Sequence, residues 1–411
     1  MKVNLFFFLT ACLSFCQTHF AQAQQDSLLG YASISEAYRN ISMEKKKLSK
    51  DKEYIEPLEV KIIQEEVLEK GQALLEYFIS DTNVCVFFIS KNDFQKVVIP
   101  KDFPLEDWAN LLIADLLKPN FAAADFKERN ADFVKYSHLI HEKIFAPLHK
   151  FNLPERLLIK PDGILKKLPF EIFLTEAPTD ATDFENHAYL FKNHKISYCH
   201  STMTQQKMQQ ATTTLAPKLF MTFAPANVEN VQDEAIAIYR KFGGDIYQLE
   251  AATPDILKTE APLFQALYLP EICQSKMDKL PALNSELVVF SICEKVESPF
   301  DLVHQFSEKG AKSIVTNLWK TAAENRLDFL KNFYHHIYQR KDKDAALQRA
   351  KKDGLRWTSG VEGHPHFWAG EVVFGVSKSV DLQGFRYDLV LWGSLVLMLV
   401  FGVFFIDRNI I

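Results

Sequence analysis

Cys293 is the residue of this sequence whose type and position most suggest covalent chemistry. It follows the apolar run 287–291, which is typical of a buried strand. A thiol at the carboxyl end of a central parallel strand lies where open α/β sheets place their sites. To act as a nucleophile it needs an imidazole that lowers its pKa and later protonates the leaving amine. The competing interpretation is a small buried hydrophobic residue, which is how most free cysteines behave.

Few histidines can serve this thiol as a base. None of the twelve His residues lies between positions 202 and 303, and the candidates outside that gap are His200, His304, His364 and His366. His200 follows a strand-like stretch and adjoins Cys199, which is a second candidate thiol. His304 lies on the predicted helix after Cys293. We expect all four histidines to have packing or surface roles.

The other cysteines suggest no disulfide framework. Four cysteines follow the first 23 residues: Cys85, Cys199, Cys273 and Cys293. They can pair in an oxidising compartment, but their irregular spacing in a large chain implies no fixed pattern of bridges. A bridge between Cys273 and Cys293 stays open, because both lie on or near adjacent predicted strands.

The composition excludes several classes of function. The net charge of -5 leaves no electrostatic footprint for nucleic acid. The histidines form neither an H-E-x-x-H motif nor a Cys/His finger spacing, so we predict no metal and no cofactor. An apolar content of 47% with 34 Phe predicts a folded body and argues against disorder.

The elements that must position Cys293 alternate between strands and helices. Apolar runs at 156–160, 219–223, 266–269, 287–291 and 313–319 read as strands. Helical patterns fill 233–242, 300–309 and 322–338, and Gly243-Gly244 ends the first of them. Continuous apolar strands alternating with helices indicate a parallel sheet that is covered on both faces.

A different pattern precedes this region. Short β-rich runs at 74–79, 84–90 and 96–99 are separated by polar turns, which predicts an antiparallel meander. Helical periodicity returns from about 105 to 149, and residues 24–73 are mostly polar and helical in pattern. The predicted fold class is therefore α/β, with a mostly parallel sheet flanked by helices and preceded by a small helical and antiparallel β region.

Several segments together resemble the CHAT domain family, whose caspase-like domains are often found with tetratricopeptide repeats. The matching segments occur in the family's order at 75–78, 159–163, 168–171, 196–201, 288–294, 310–315, 318–319, 345–347 and 364–370. They include P-D-G followed by L-P-F-E, I-S-Y before Ser201, G-A-K-S-I-V before L-W, and H-P-H-F-W-A. The resemblance covers about residues 70–376 and implies a caspase-like fold. The family's usual upstream repeat array is missing.

The resemblance implies a cysteine–histidine dyad, and this sequence departs from it. Cys293 matches the nucleophile position, whereas the catalytic histidine would fall at or near Ile272. No Gly occurs from 245 to 309, so the glycine that pairs with that histidine is absent too, and the 269–287 stretch looks shortened. We therefore expect a catalytically inactive pseudo-protease that binds an unidentified protein partner. The alternative is an active cysteine peptidase that uses Cys293 with a relocated base.

Both ends of the chain indicate export and membrane attachment. Lys2, an apolar stretch from 5 to 15 and Ala21-Gln22-Ala23 form a secretory signal with cleavage expected after Ala23. Lipid attachment at Cys12 is the competing interpretation. The charge-free run from Leu389 to Ile406 makes about 27 Å of helix, enough to cross a hydrocarbon core.

These features predict a single-pass membrane protein whose globular part lies on the extracytoplasmic side. The expected organisation is a signal peptide (1–23), a helical segment (24–73), the N-terminal part of the CHAT-like region (74–215), a caspase-like core (216–376), a linker (377–388), a transmembrane helix (389–406) and a cytoplasmic tail (407–411).

Overall fold

The computed structural model describes residues 34–41, 58–117, 119, 126–211, 216–226, 231–272, 280–292, 299–321, 323–357 and 360–382. The predicted signal peptide, the predicted transmembrane helix 389–406, Cys12, Cys273 and Cys293 lie outside the described residues. Among the helices that are described, none combines the length and the apolar character needed to cross a bilayer.

The described residues form one sheet of eleven strands. The strands are β1 (Gln72–Ile79), β2 (Asn83–Ser90), β3 (Phe94–Pro100), β4 (Arg156–Lys160), β5 (Lys195–Tyr198), β6 (Lys218–Pro225), β7 (Asp245–Leu249), β8 (Phe264–Ile272), β9 (Leu287–Ile292), β10 (Ser313–Asn317) and β11 (Glu371–Gly375). Their order across the sheet is β3-β2-β1-β4-β5-β11-β10-β9-β8-β6-β7.

Most neighbouring strands are parallel. The pairs β1–β4, β4–β5, β6–β7, β6–β8, β8–β9 and β9–β10 are parallel, whereas β1–β2, β2–β3 and β10–β11 are antiparallel. β11 meets β5 at a single residue pair, Phe374 with Tyr198. Because β1 pairs with β4, the antiparallel meander extends the central sheet instead of forming a region of its own.

Helices cover both faces of the sheet. They are α1 (34–41), α2 (Val60–Ile62), α3 (Leu105–Leu117), α4 (Phe126–Ile140), α5 (Thr202–Gln210), α6 (Gln232–Phe242), α7 (Pro254–Glu260), α8 (Pro299–Glu308), α9 (Ala323–Tyr338), α10 (Lys343–Trp357) and α11 (Pro365–Trp368). Every residue of β9 and β10 is buried, as expected for parallel strands covered on two sides.

Alternate residues of β9 enter different apolar clusters. Phe290 stacks on Phe306 of α8 with ring centroids 4.7 Å apart. Val289 packs in the cluster that includes Phe333 of α9 and Leu347 of α10. The period of two along the strand therefore places α8 on one face of the sheet and α9 and α10 on the other.

The predicted α/β class with a mostly parallel sheet and N-terminal antiparallel strands is confirmed. The strand at 156–160 matches β4, and the predicted helices at 233–242, 300–309 and 322–338 correspond to α6, α8 and α9. Gly243 follows α6 with a φ of 73°, the left-handed conformation that glycine adopts most readily. The domain boundaries, including the one at 215/216, stay a prediction.

Two strands of the sheet were missed. β7 is an outer strand of the sheet, and its residues are half-buried or exposed. The sequence therefore has no apolar run that indicates this strand. β11 is buried throughout but begins with a charged residue, Glu371, and follows the H-P-H-F-W-A segment directly. A charged residue in a buried strand breaks the apolar pattern on which sequence-based assignment depends.

Candidate functional site

The ends of three central strands form one edge of the sheet. β8, β9 and β10 are parallel neighbours and end at Ile272, Ile292 and Asn317. We call this set of strand ends the carboxyl edge, which is distinct from the lateral edge of the sheet where β7 lies. Open α/β sheets bind ligands at such an edge, beyond the carboxyl ends of their strands. Cys293 follows β9 directly in sequence and lies outside the described residues.

Ile272 lies at or near the position at which the resemblance places a histidine. It pairs with Ile292 across β8 and β9, after an irregular step in the register that follows Leu269. Neighbouring strands lie about 5 Å apart, so a residue at 272 adjoins the strand end that precedes position 293. An isoleucine side chain accepts and donates no proton, so this position supplies no general base.

Asn317 holds the end of β9. Its side-chain Oδ1 accepts a hydrogen bond from the backbone N–H of Ile292 at 2.9 Å, and its Nδ2 donates to the carbonyl of Trp319 at 2.7 Å. Asn317 is buried, so water does not compete for these bonds. The amide therefore fixes the backbone immediately before position 293.

A buried ionic network lies under the same edge. Arg326 of α9 donates from Nη1 to Glu234 of α6 at 2.6 Å and from Nε to Glu371 of β11 at 3.0 Å. The hydroxyl of Tyr268 donates to the Glu234 carboxylate. All four residues are buried. Burial, followed by the charge of Glu371, raises the pKa of Glu234, whereas Arg326 opposes that shift.

This network borders a small cavity. Arg326 and Glu371 line it together with Asn317 and Trp319, and it has room for about one water molecule. Within the described part of the chain, Nη2 of Arg326 and Oε2 of Glu371 have no hydrogen-bond partner. The cavity is too small for a peptide side chain, so we assign the network a structural role in joining α6, α9 and β11.

The structure brings two of the four candidate histidines together. The rings of His200 and His304 stack with centroids 4.9 Å apart and planes 18° apart. His200 follows β5 and His304 lies on α8, which follows β9. Thr204 of α5 approaches His304, and Lys207 of α5 pairs with Glu308 of α8, so the two helices run side by side in one direction. β5 is parallel to β11 and therefore antiparallel to β10 and β9, so the two histidines reach each other from strands of opposite direction.

The other two candidates pack elsewhere. His364 is fully buried, its Nε2 lies 2.8 Å from Asp115 of α3, and its Nδ1 accepts from the backbone N–H of His366. Nδ1 of His366 lies 2.7 Å from the carbonyl of Leu116. Both rings thus tie α11 to α3, in agreement with the packing role that we expected.

Cys199 is not a reactive thiol, which corrects one alternative from the sequence. It is buried in an apolar cluster with Leu74 and Leu158, and burial raises its pKa strongly. Cys85 is buried in the same cluster, and burial raises its pKa to about 11. Both cysteines are free. A thiol with a raised pKa carries little thiolate at neutral pH, so neither can act as the nucleophile.

Sequence reasoning missed Asn317 and the Arg326 network. Glu371 was the one feature of the sequence that could have indicated the network, because it is a charged residue in the otherwise apolar stretch of β11. Its partner Arg326 is 45 residues away in sequence, so no local pattern connects them. Among the described residues, no group of three or more His, Cys, Asp or Glu side chains is arranged to hold a metal ion.

The comparison with family models agrees with the resemblance suggested by the motifs. Residues 265–376 match the CHAT domain model, and no curated protein sequence matches the chain. A chain of the Saccharomyces cerevisiae separase–securin complex is similar with 9% identity, a TM-score of 0.45 and coverage of 77% of this chain and 30% of that chain. The Arg-specific cysteine proteinase gingipain R has 12% identity, a TM-score of 0.41 and coverage of 67% and 75% respectively. The likeness to the CHAT domain model is confined to residues 265–376.

Proposed function

We propose that this chain is a membrane-tethered CHAT-domain pseudo-protease that binds a protein partner without cleaving it. The observation that carries the proposal is the pairing of Ile272 with Ile292. A catalytic base at 272 would adjoin the residue that follows β9, and the chain has an isoleucine there. The thiol position Cys293 therefore lacks the base that the family places beside it.

The surrounding residues support binding over turnover. Under the carboxyl edge, Arg326 engages both Glu234 and Glu371. A guanidinium held by two buried carboxylates is not free to stabilise a developing oxyanion. The charge-free run 389–406 would hold the domain at the membrane, with the CHAT domain on the extracytoplasmic side.

The test is turnover of a broad peptide library by the full chain in detergent, beside Cys293→Ala and Ile272→His variants. We expect the native chain to release no more product than Cys293→Ala does. Arg349→Ala, a change at an exposed residue of α10, controls for purification and handling. Cleavage by the native chain that Cys293→Ala abolishes would refute the proposal.

The alternative, an active cysteine peptidase with a relocated base, has one observation in its favour. His304 lies on α8, the helix that follows β9, and His200 stacks on its ring. If this alternative holds, His200→Gln and His304→Gln each lower kcat with little change in KM, because a base acts on the chemical step. Affinity capture from membranes that retains one small, specific set of proteins supports the binding function.

A further inference from the structure

The stacked pair of His200 and His304 forms a contact between two helical segments. His200 immediately precedes α5, whose N-cap is Ser201, and His304 lies in the middle of α8. Nδ1 of His304 is 3.4 Å from the hydroxyl of Thr204. Nδ1 of His200 is buried and has no hydrogen-bond partner among the described residues. The pair therefore lies in the contact between α5 and α8, together with the Lys207–Glu308 ion pair.

The charged groups that face His200 are cationic. Lys160 at the end of β4 and Lys166 in the turn Gly163–Lys167 both act on its ring, together with His304. The nearby carboxylate of Glu76 is engaged by Lys160 and by the Tyr38 hydroxyl. Burial, followed by His304 and the two lysines, lowers the pKa of His200 to about 3. Protonation of His200 therefore puts a positive charge in a buried site that already faces other cations.

α8 connects this pair to the candidate site. The helix follows β9 in the chain and leads through Gly310 into β10. On its inner side Phe300 packs edge-on against Phe374 of β11, and Phe306 stacks on Phe290 of β9. Any loosening of α8 thus acts on the three strands that form or adjoin the carboxyl edge.

We propose that the stacked His200–His304 pair is a proton-sensitive contact that releases α8 from α5 under mildly acidic conditions. A charged His200 ring is repelled by the cations that face it, Lys160 and Lys166. Opening exposes the His200 ring to water, where a histidine takes up its proton near pH 6.5. Acidification from neutral pH to pH 5 then favours the open state by up to about 30-fold. This inference does not depend on whether the domain cleaves peptides.

Hydrogen exchange of the full chain, read by mass spectrometry at pH 7.5 and pH 5.0, tests the proposal. After correction for the intrinsic pH dependence of exchange, we expect the amides of α8 to lose up to about 30-fold in protection at pH 5.0. His200→Phe keeps a stacking ring and removes the titrating group, so its α8 should stay protected at both pH values.

The control is His141→Phe, which removes a buried histidine from another part of the structure. His141 belongs to the segment His141–Phe145 that continues α4, and its change should leave the pH response of α8 intact. Equal protection of α8 at both pH values in the native chain overturns the proposal, and this measurement needs no variant. An undiminished loss of protection in His200→Phe overturns it as well.

Discussion

Replacing Arg326 by methionine removes the one described cation between two buried carboxylates. Glu234 and Glu371 both lose their partner, and each carboxylate has a relative side-chain exposure of 7%. Methionine fills a similar volume without adding a polar group, so the change isolates the charge. The expected consequence is a large loss of stability, because two neighbouring carboxylates are left buried without compensation.

The size of the loss follows from the geometry. Removing one partner of a buried ion pair typically costs about 3–5 kcal/mol. For a domain of this size class that corresponds to a fall in Tm of roughly 10 °C. The loss should shrink as the pH falls from 7 to 5. Burial raises the pKa of Glu234, and without Arg326 the folded state binds this proton more readily than the unfolded state does, so the variant gains stability relative to the native chain as the pH drops.

Thermal and urea unfolding of the full chain in detergent, at pH 7 and pH 5, measure this difference. Arg349→Met is the matched control, since Arg349 is exposed on α10 and its replacement should change stability little. Glu371→Gln added to Arg326→Met should recover part of the loss. If Arg326→Met is as stable as Arg349→Met, the network does not hold α6, α9 and β11 together.

Three further predictions concern other parts of the structure. Burial lowers the pKa of His141 to about 4, whereas the unfolded chain takes up this proton near pH 6.5. The folded state therefore loses stability relative to the unfolded state as the pH falls from about 6.5 to about 4. His141→Phe should therefore gain about 2 kcal/mol relative to the native chain at pH 5 in urea unfolding, and an equal pH dependence of the two proteins would contradict this. Asn317→Ala leaves the N–H of Ile292 and the carbonyl of Trp319 unpaired and should cost about 1–3 kcal/mol, and Asn317→Asp should not recover this loss, because it buries a charge and turns a second acceptor toward the Trp319 carbonyl. Cys85 and Cys199 should resist iodoacetamide at pH 8 until the chain unfolds, because burial raises the pKa of both thiols, and peptide mass spectrometry that finds either one alkylated in the folded protein would refute this.

The strands and helices of the centre could be predicted because their patterns are local. β9 is a continuous apolar run, and helices before and after it end at Gly243 and Gly310. At Gly310 the φ of 99° and an added Cβ only 2.4 Å from the Leu283 carbonyl explain why the chain has glycine there. These preferences act over a few residues, so they are visible in sequence order. β7 escaped prediction because an edge strand has too little burial to need an apolar run.

The sequence by itself determined the α/β class, the order of the motifs that resemble a CHAT domain, and the lack of any histidine between positions 202 and 303. Tertiary structure decided which of the remaining groups meet. It placed Ile272 beside Ile292, stacked His200 on His304 across 104 residues of chain, and brought Arg326 between Glu234 and Glu371. The physical reason is that such contacts depend on strand order and helix packing, which join residues far apart in sequence, whereas periodicity reports only on neighbours within a few turns.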